Sequence, residues 1–205
     1  IEKIKAPKKK KVTIAIVGKY FGTGEYQLKD SYAALFDAID HASWEKSVEV
    51  ETHWIDAEKV EKEGIEIIGK PDGIIVPIGW GERGTEGMIA AADFARKKQI
   101  PYLGLCYGMQ HACIAFARSV LGWKDANTTE NVKDTKHDVI YLIPSQKEFM
   151  DRRAYGGTMR LGSWDAIVKK GTKAYDLYEK YGQMINKEKG LTSERHRHRW
   201  EFNNR

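Results

Sequence analysis

The sequence predicts an α/β fold built on a doubly wound, mostly parallel sheet, and three observations carry that prediction. Short continuous apolar runs alternate with helical periodicity from residue 12 to residue 121, as expected of strands covered on both faces by crossover helices. Two glycine-rich turns, Gly79 to Gly84 and Gly104 to Gly108, follow two of those runs. They fall at the carboxyl ends of strands, where an open parallel sheet gathers its reactive loops. A chain of 205 residues with 41% apolar content is also long enough to bury one core without disulfides.

The elements follow in order. Residues 1–11 are lysine-rich, from Lys3, Lys5 and Lys8 to Lys11, and read as a cut linker. Val12 to Val17 is a buried strand closed by Gly18. Leu28 to Ala42 spaces Leu28, Tyr32, Leu35, Phe36, Ile39 and Ala42 along one helical stripe, with Asp30-Ser31 near its start. Val48 to Ile55 and Gly73 to Ile78 are strands flanking a helix rich in lysine and glutamate. Thr85 to Lys98 is a helix, Ile100 to Cys106 a strand introduced by Pro101, and Tyr107 to Leu121 the next helix. Beyond Gly122 the pattern supplies a strand at Val139 to Ile143, a turn at Gly156-Gly157 and a helix around Lys173 to Tyr181.

Gly104-Leu105-Cys106-Tyr107-Gly108 reads as a nucleophile elbow. A thiol at the crest of a tight strand-to-helix turn needs small neighbours, because the backbone there is strained and close to surrounding chain. A helix N-terminus behind Cys106 would favour thiolate, and such a thiolate is suited to covalent attack on a carbonyl. The competing reading is a buried core thiol, which is how Cys113 reads. Gly79-Trp80-Gly81-Glu82-Arg83-Gly84 formally fits a dinucleotide fingerprint. The fingerprint wants an acidic residue at the end of the next strand, and Cys106 stands there instead. The turn is better suited to presenting N–H groups to an oxyanion, with Gly79 as one donor and Tyr107 as the other, or else it merely packs helix on strand.

Composition narrows the function classes. The formal net charge of +5 collects largely in the opening stretch and in Arg195 to Arg199, which argues against a nucleic-acid partner. No apolar run approaches membrane-spanning length and no leader pattern opens the chain, so neither membrane nor secretion is expected. Two cysteines at helical spacing, too far apart to bridge, fit a reducing cytoplasm. His196 and His198 lack a second set of ligands at metal spacing, so no metal is expected.

Seven stretches together resemble the glutamine amidotransferase domain of CTP synthases: Ile16 to Tyr20, Asp30-Ser31-Tyr32, Gly81 to Ile89, Pro101 to Gln110, Asn127 to Glu130, Gly156 to Gly162 (GGTMRLG) and Glu194 to Asn203 (ERHRHRWEFN). Their order and separation match the family over nearly the whole chain. The resemblance implies a flavodoxin-like fold of class I amidotransferase type, with residues 1–11 as the linker from an absent synthase domain and 12–205 as the amidotransferase domain. It implies that Cys106 attacks the glutamine side-chain amide and that water then hydrolyses the glutamyl thioester, supplying ammonia for conversion of UTP to CTP. By the same carry-over, Gly79, Tyr107, Gly108, Met109 and Gln110 form the oxyanion and backbone-binding stretch, while Glu130 and Arg199 hold the amino-acid end of L-glutamine. The family's ATP, UTP and Mg sites lie in the absent synthase (amidoligase) domain, through which it mainly homo-oligomerises, and this domain needs no cofactor.

The sequence departs from the family in two ways. The family's catalytic histidine and glutamate sit in a His-Pro-Glu motif downstream of ERHRHR, and these 205 residues contain no such motif. The domain is therefore expected to be C-terminally incomplete, lacking its general base. Ile78 also stands where the family's loop has its first glycine, and a β-branched residue resists positive φ. Trp80 for phenylalanine and Tyr107 for leucine are milder changes. Two other readings remain: a glutamine-binding or synthase-docking module with weak catalysis, and a cysteine hydrolase of another γ-glutamyl substrate.

Overall fold

Along β1 (Lys10–Gly18) the side chains divide between two cores, which is what a strand buried on both faces requires. Ile14 and Ile16 pack with Phe21, Tyr32, Phe36 and Trp54, whereas Ala15 and Val17 pack with Val60, Met88, Ala91 and Ala95. The computed structural model describes residues 2–23 and 26–205. Around β1 the chain runs α1 (Glu2–Lys5), β2 (Gly22–Thr23), β3 (Tyr26–Gln27), α2 (Ala33–Lys46), β4 (Val48–Asp56), α3 (Ala57–Glu63), β5 (Gly73–Val76), α4 (Thr85–Lys98), β6 (Tyr102–Gly104) and α5 (Tyr107–Ser119). It continues through β7 (Asn127–Thr128), β8 (Asp138–Leu142), α6 (Lys147–Asp151), β9 (Arg160–Ile167), α7 (Lys173–Lys180), β10 (Leu191–His198) and β11 (Trp200–Phe202).

The chain forms two compact units, one of residues up to Tyr141 with Phe202–Arg205 and one of Leu142–Glu201. The sequence expects a single domain over 12–205, so this division is a finding of the structure. Residues 10 and 11 of the expected linker already belong to β1, paired with Val48 and Glu49, and Ile1 lies outside the described residues.

In the first unit the main sheet has the order β4-β1-β5-β6, and its pairings are all parallel. The chain steps outward from β1 to β4 and then returns to the other side of β1, so the strand order reverses between β1 and β5. Open α/β sheets form their ligand crevice at the carboxyl ends flanking such a switch point. The α2 face covers Ile14, Ile16 and Ile75, and the α3–α4 face covers Ala15, Val17, Ile74 and Val76, which makes the sheet doubly wound.

Several boundaries differ from expectation for identifiable reasons. The helix expected from Leu28 opens as a 3-10 turn at Asp30–Tyr32 and becomes α-helical at Ala33. Leu28 stays outside it and exposed, its N–H committed to the Phe21 carbonyl at 2.9 Å, and Ala42 is exposed as well. The strand expected to reach Ile78 stops at Val76, because Pro77 has no N–H to extend the ladder. The strand expected over Ile100 to Cys106 is regular only over Tyr102–Gly104. Thr85–Lys98 forms as expected, between the left-handed residues Gly84 and Gln99.

The second unit holds the β9–β10 antiparallel ladder, which the sequence reading did not anticipate. Its register runs from Leu191 opposite Ile167 to His198 opposite Arg160, so Arg160-Leu161-Gly162 at the end of GGTMRLG pairs with His196-Arg197-His198 of ERHRHR. Among the described residues no helix is long and apolar enough to cross a membrane.

Candidate active site

Three strand ends in the first unit converge: Lys19 follows β1, the Pro77–Gly84 turn follows β5, and Cys106 follows β6. Cys106 has φ 53° and ψ −101°, a conformation an L-residue rarely adopts, and it caps α5. The flanking glycines are sterically required. A Cβ on Gly104 would come within 2.6 Å of the Gly108 carbonyl carbon, and one on Gly108 would lie 2.0 Å from the Val76 carbonyl oxygen. The first turn of α5 therefore lies directly on the ends of β5 and β6. Leu105 N–H donates to Val76 at 2.9 Å and Gln110 N–H to Cys106 at 3.1 Å, which completes the elbow.

The glycine turn lies against Tyr107, the residue that follows Cys106. A Cβ on Gly79 would meet Tyr107 Cδ1 and Lys19 Cδ, both at 3.1 Å. Lys19, only 2% exposed, sends its ammonium into the turn, donating to Trp80 O at 2.6 Å and also to Gly81 O. Its Nζ also lies 5.2 Å from the centre of the Tyr107 ring. The Lys19 carbonyl in turn accepts from Arg83 at 2.6 Å. Glu130 Oε1 accepts from Gly81 N–H at 2.8 Å, bringing the predicted ammonium-binding carboxylate onto the same turn.

Burial dominates the electrostatics. It pushes the Cys106 thiol up, with Tyr107 N–H pulling it down and the Glu130 charge raising it further. The Tyr107 N–H acts in the direction expected of the helix N-terminus, and the surrounding protein opposes it at a cysteine whose surface remains exposed. Burial also raises Glu130, against the Gly81 N–H and Lys19. Lys19 falls to about 8, first by desolvation and then by the nearby Arg83 guanidinium. His111, one turn along α5, is wholly buried with neither ring nitrogen bonded, and desolvation with the Lys19 and Arg118 charges holds it at about 3.

Of the residues singled out in the sequence, Cys106, Gly79, Tyr107, Gly108, Gln110 and Glu130 gather around this crevice. Met109 is exposed, its sulfur 3.7 Å from Cys113 Sγ, and both line a separate cavity of about 660 Å³ with Phe116, Trp123, Val139 and Phe202. Cys113 is thus partly exposed at a cavity wall, where the sequence suggested a core thiol. Arg199 belongs to the second unit. There it is 4% exposed and donates to Gln146 Oε1 at 2.6 Å and to Tyr155 O and Thr158 Oγ1 at 2.9 Å each. His196 Nδ1 and His198 Nε2 lie 2.8 Å apart, and His198 Nδ1 donates to Trp200 O at 2.8 Å. The sequence reading missed Lys19, Thr85 and Asn131 as parts of the site. A lysine at a strand end carries no sign that its ammonium is committed to backbone carbonyls.

Residues 27–205 match the family described as glutamine amidotransferase class-I. The CTP synthase of Listeria innocua is 46% identical over 196 residues, covering 95% of this chain and 34% of the relative. That of Pyrococcus furiosus is 48% identical over 192 residues, covering 94% and 33%. The chain spans about a third of the length of these relatives. A solved structure of the Trypanosoma brucei CTPS glutaminase domain with bound acivicin superposes with a TM-score of 0.78 at 35% identity, covering 94% of this chain and 68% of that one.

Proposed function

The chain belongs to the class-I glutamine amidotransferase family, and from that premise we propose that it is the glutaminase domain of a CTP synthase. It would act in the cytoplasm and hand ammonia to an amidoligase domain that converts UTP to CTP, with no cofactor of its own. Cys106 Sγ attacks the side-chain amide carbon of L-glutamine, and the carbonyl oxygen gathers negative charge facing the N–H groups of Gly79 and Tyr107. The C–N bond breaks, ammonia leaves with the proton given up by the thiol, and a glutamyl thioester remains. Water then cleaves the thioester to glutamate and free thiol. Glu130 accepts from the substrate ammonium, and Arg199 is assigned to its carboxylate by the resemblance.

One observation carries this reading: a cysteine strained onto an elbow, with a glycine turn seated on the next residue and tethered to Glu130. A second reading, glutamine binding without turnover, is favoured by the raised Cys106 thiol. The test is glutamate release from glutamine, beside a Cys106→Ala control and stoichiometric labelling by acivicin. Cysteine-dependent release supports the glutaminase. Labelling that glutamine protects against, without release, supports the binding module, and a Cys106 that neither acivicin nor glutamine touches rules out both.

A further inference from the structure

Gly81 is held at both of its backbone polar groups, its carbonyl also taking the Lys19 ammonium and, at 3.3 Å, the Thr85 hydroxyl. Its N–H donates to Glu130 Oε1 at 2.8 Å. Its carbonyl accepts the Tyr107 phenol at 2.8 Å, and that phenol oxygen accepts from Asn131 Nδ2 at 3.1 Å. Thr85 Oγ1 closes the cluster, accepting from Asn131 at 3.2 Å and lying 3.3 Å from the phenol oxygen. The Tyr107 side chain is fully buried and burial raises its phenol to about 12, so the group remains a neutral donor throughout the working pH range.

We propose that the Tyr107 hydroxyl is a positioning group that fastens the Gly79–Gly81 turn to the nucleophile's own helix. Tyr107 then serves the oxyanion twice. Its N–H is one donor, and its side chain, through the Gly81 carbonyl, fixes the segment that carries the other donor at Gly79. Donors to a developing oxyanion must sit within a few tenths of an ångström of their place, and a glycine turn cannot hold such a position by its own stiffness. Anchoring the turn to the residue beside the sulfur makes the distance between the two donors independent of movements elsewhere in the sheet. The catalytic meaning rests on the glutaminase reading, while the contacts themselves do not.

Tyr107→Phe removes the hydroxyl and keeps the ring. In the full chain this variant should lower the maximal rate of Cys106 inactivation by acivicin by about fivefold to tenfold, with half-saturation changed less than about twofold. Alkylation of Cys106 by iodoacetamide, which needs no oxyanion donor, should stay within about twofold of wild type. Gly81 amide exchange, followed by NMR, should quicken by about tenfold. Asn131→Asp, which sets a carboxylate in competition for the phenolic proton, should shift the same readings in the same direction. Unchanged acivicin kinetics with unchanged Gly81 exchange would overturn the proposal, and so would equal losses with both reagents, which would mean that the thiol itself had been disturbed. A wild-type chain inert to acivicin would defeat the glutaminase reading instead, and Gly81 exchange alone would then decide whether Tyr107 holds the turn.

Discussion

Replacing His111 with leucine should make the protein markedly more tolerant of acid. The imidazole is wholly buried, its ring edge-on to Tyr107 with centroids 4.1 Å apart and neither nitrogen bonded. Its folded-state value is about 3, against about 6.5 for an exposed histidine. Between those two values the unfolded chain binds a proton that the folded chain refuses. Stability therefore stands in full above the unfolded value and falls as the pH drops toward 3. The pair of values gives a loss of about 2 kcal/mol between pH 8 and pH 5, and about 5 kcal/mol once both states are protonated. Urea unfolding of wild type and His111→Leu at the two pH values isolates this share, since every other titrating group is common to both chains. The wild type should lose about 2 kcal/mol more than the variant. Parallel losses would refute the reasoning, because they would mean that the buried imidazole finds a partner or a proton in the folded chain.

Glu130→Gln should lower the pH midpoint of Cys106 alkylation, because the carboxylate charge is one of the influences holding the thiol up; an unchanged midpoint would put Glu130 out of electrostatic reach of the sulfur. Gly108→Ala would drive a Cβ to 2.0 Å from the Val76 carbonyl oxygen, and a cost of about 3 kcal/mol or more should appear as a large fall in the thermal midpoint. Ile78→Gly should speed acivicin inactivation by about fivefold or more if the reactive turn requires positive φ at that position, since a β-branched residue resists that region by roughly 1–2 kcal/mol. An unchanged rate would mean that the turn already stands in its working form with isoleucine in place.

What the sequence revealed and concealed follows from which residues have a buried face. The strand at Val12 to Val17 and the helix at Thr85 to Lys98 were legible because their apolar residues meet two cores and one core respectively. The elbow was legible because close packing admits only glycine at 104 and 108. β9 and β10 were not: Arg160–Ile167 leaves nearly every side chain exposed, so no apolar alternation marks it as a strand. GGTMRLG and ERHRHR consequently stood out as strings without a shape. Lys19 and Asn131 escaped notice because their importance comes from the carbonyl and the phenol that they reach.

β6 closes the row of strands at one rim of the sheet, fastened to β5 at three register positions, where nine fasten β4 to β1. Cys106 is therefore mounted at the end of an edge strand with a short ladder, and mild denaturant should loosen that strand before β1 and β4 part. Once β6 is loose, the already exposed thiol leaves the helix N-terminus and the neighbouring turn that govern its selectivity, and it reacts as an ordinary surface cysteine. Wear in this protein would thus announce itself as indiscriminate thiol chemistry, before the long ladder between β1 and β4 is lost.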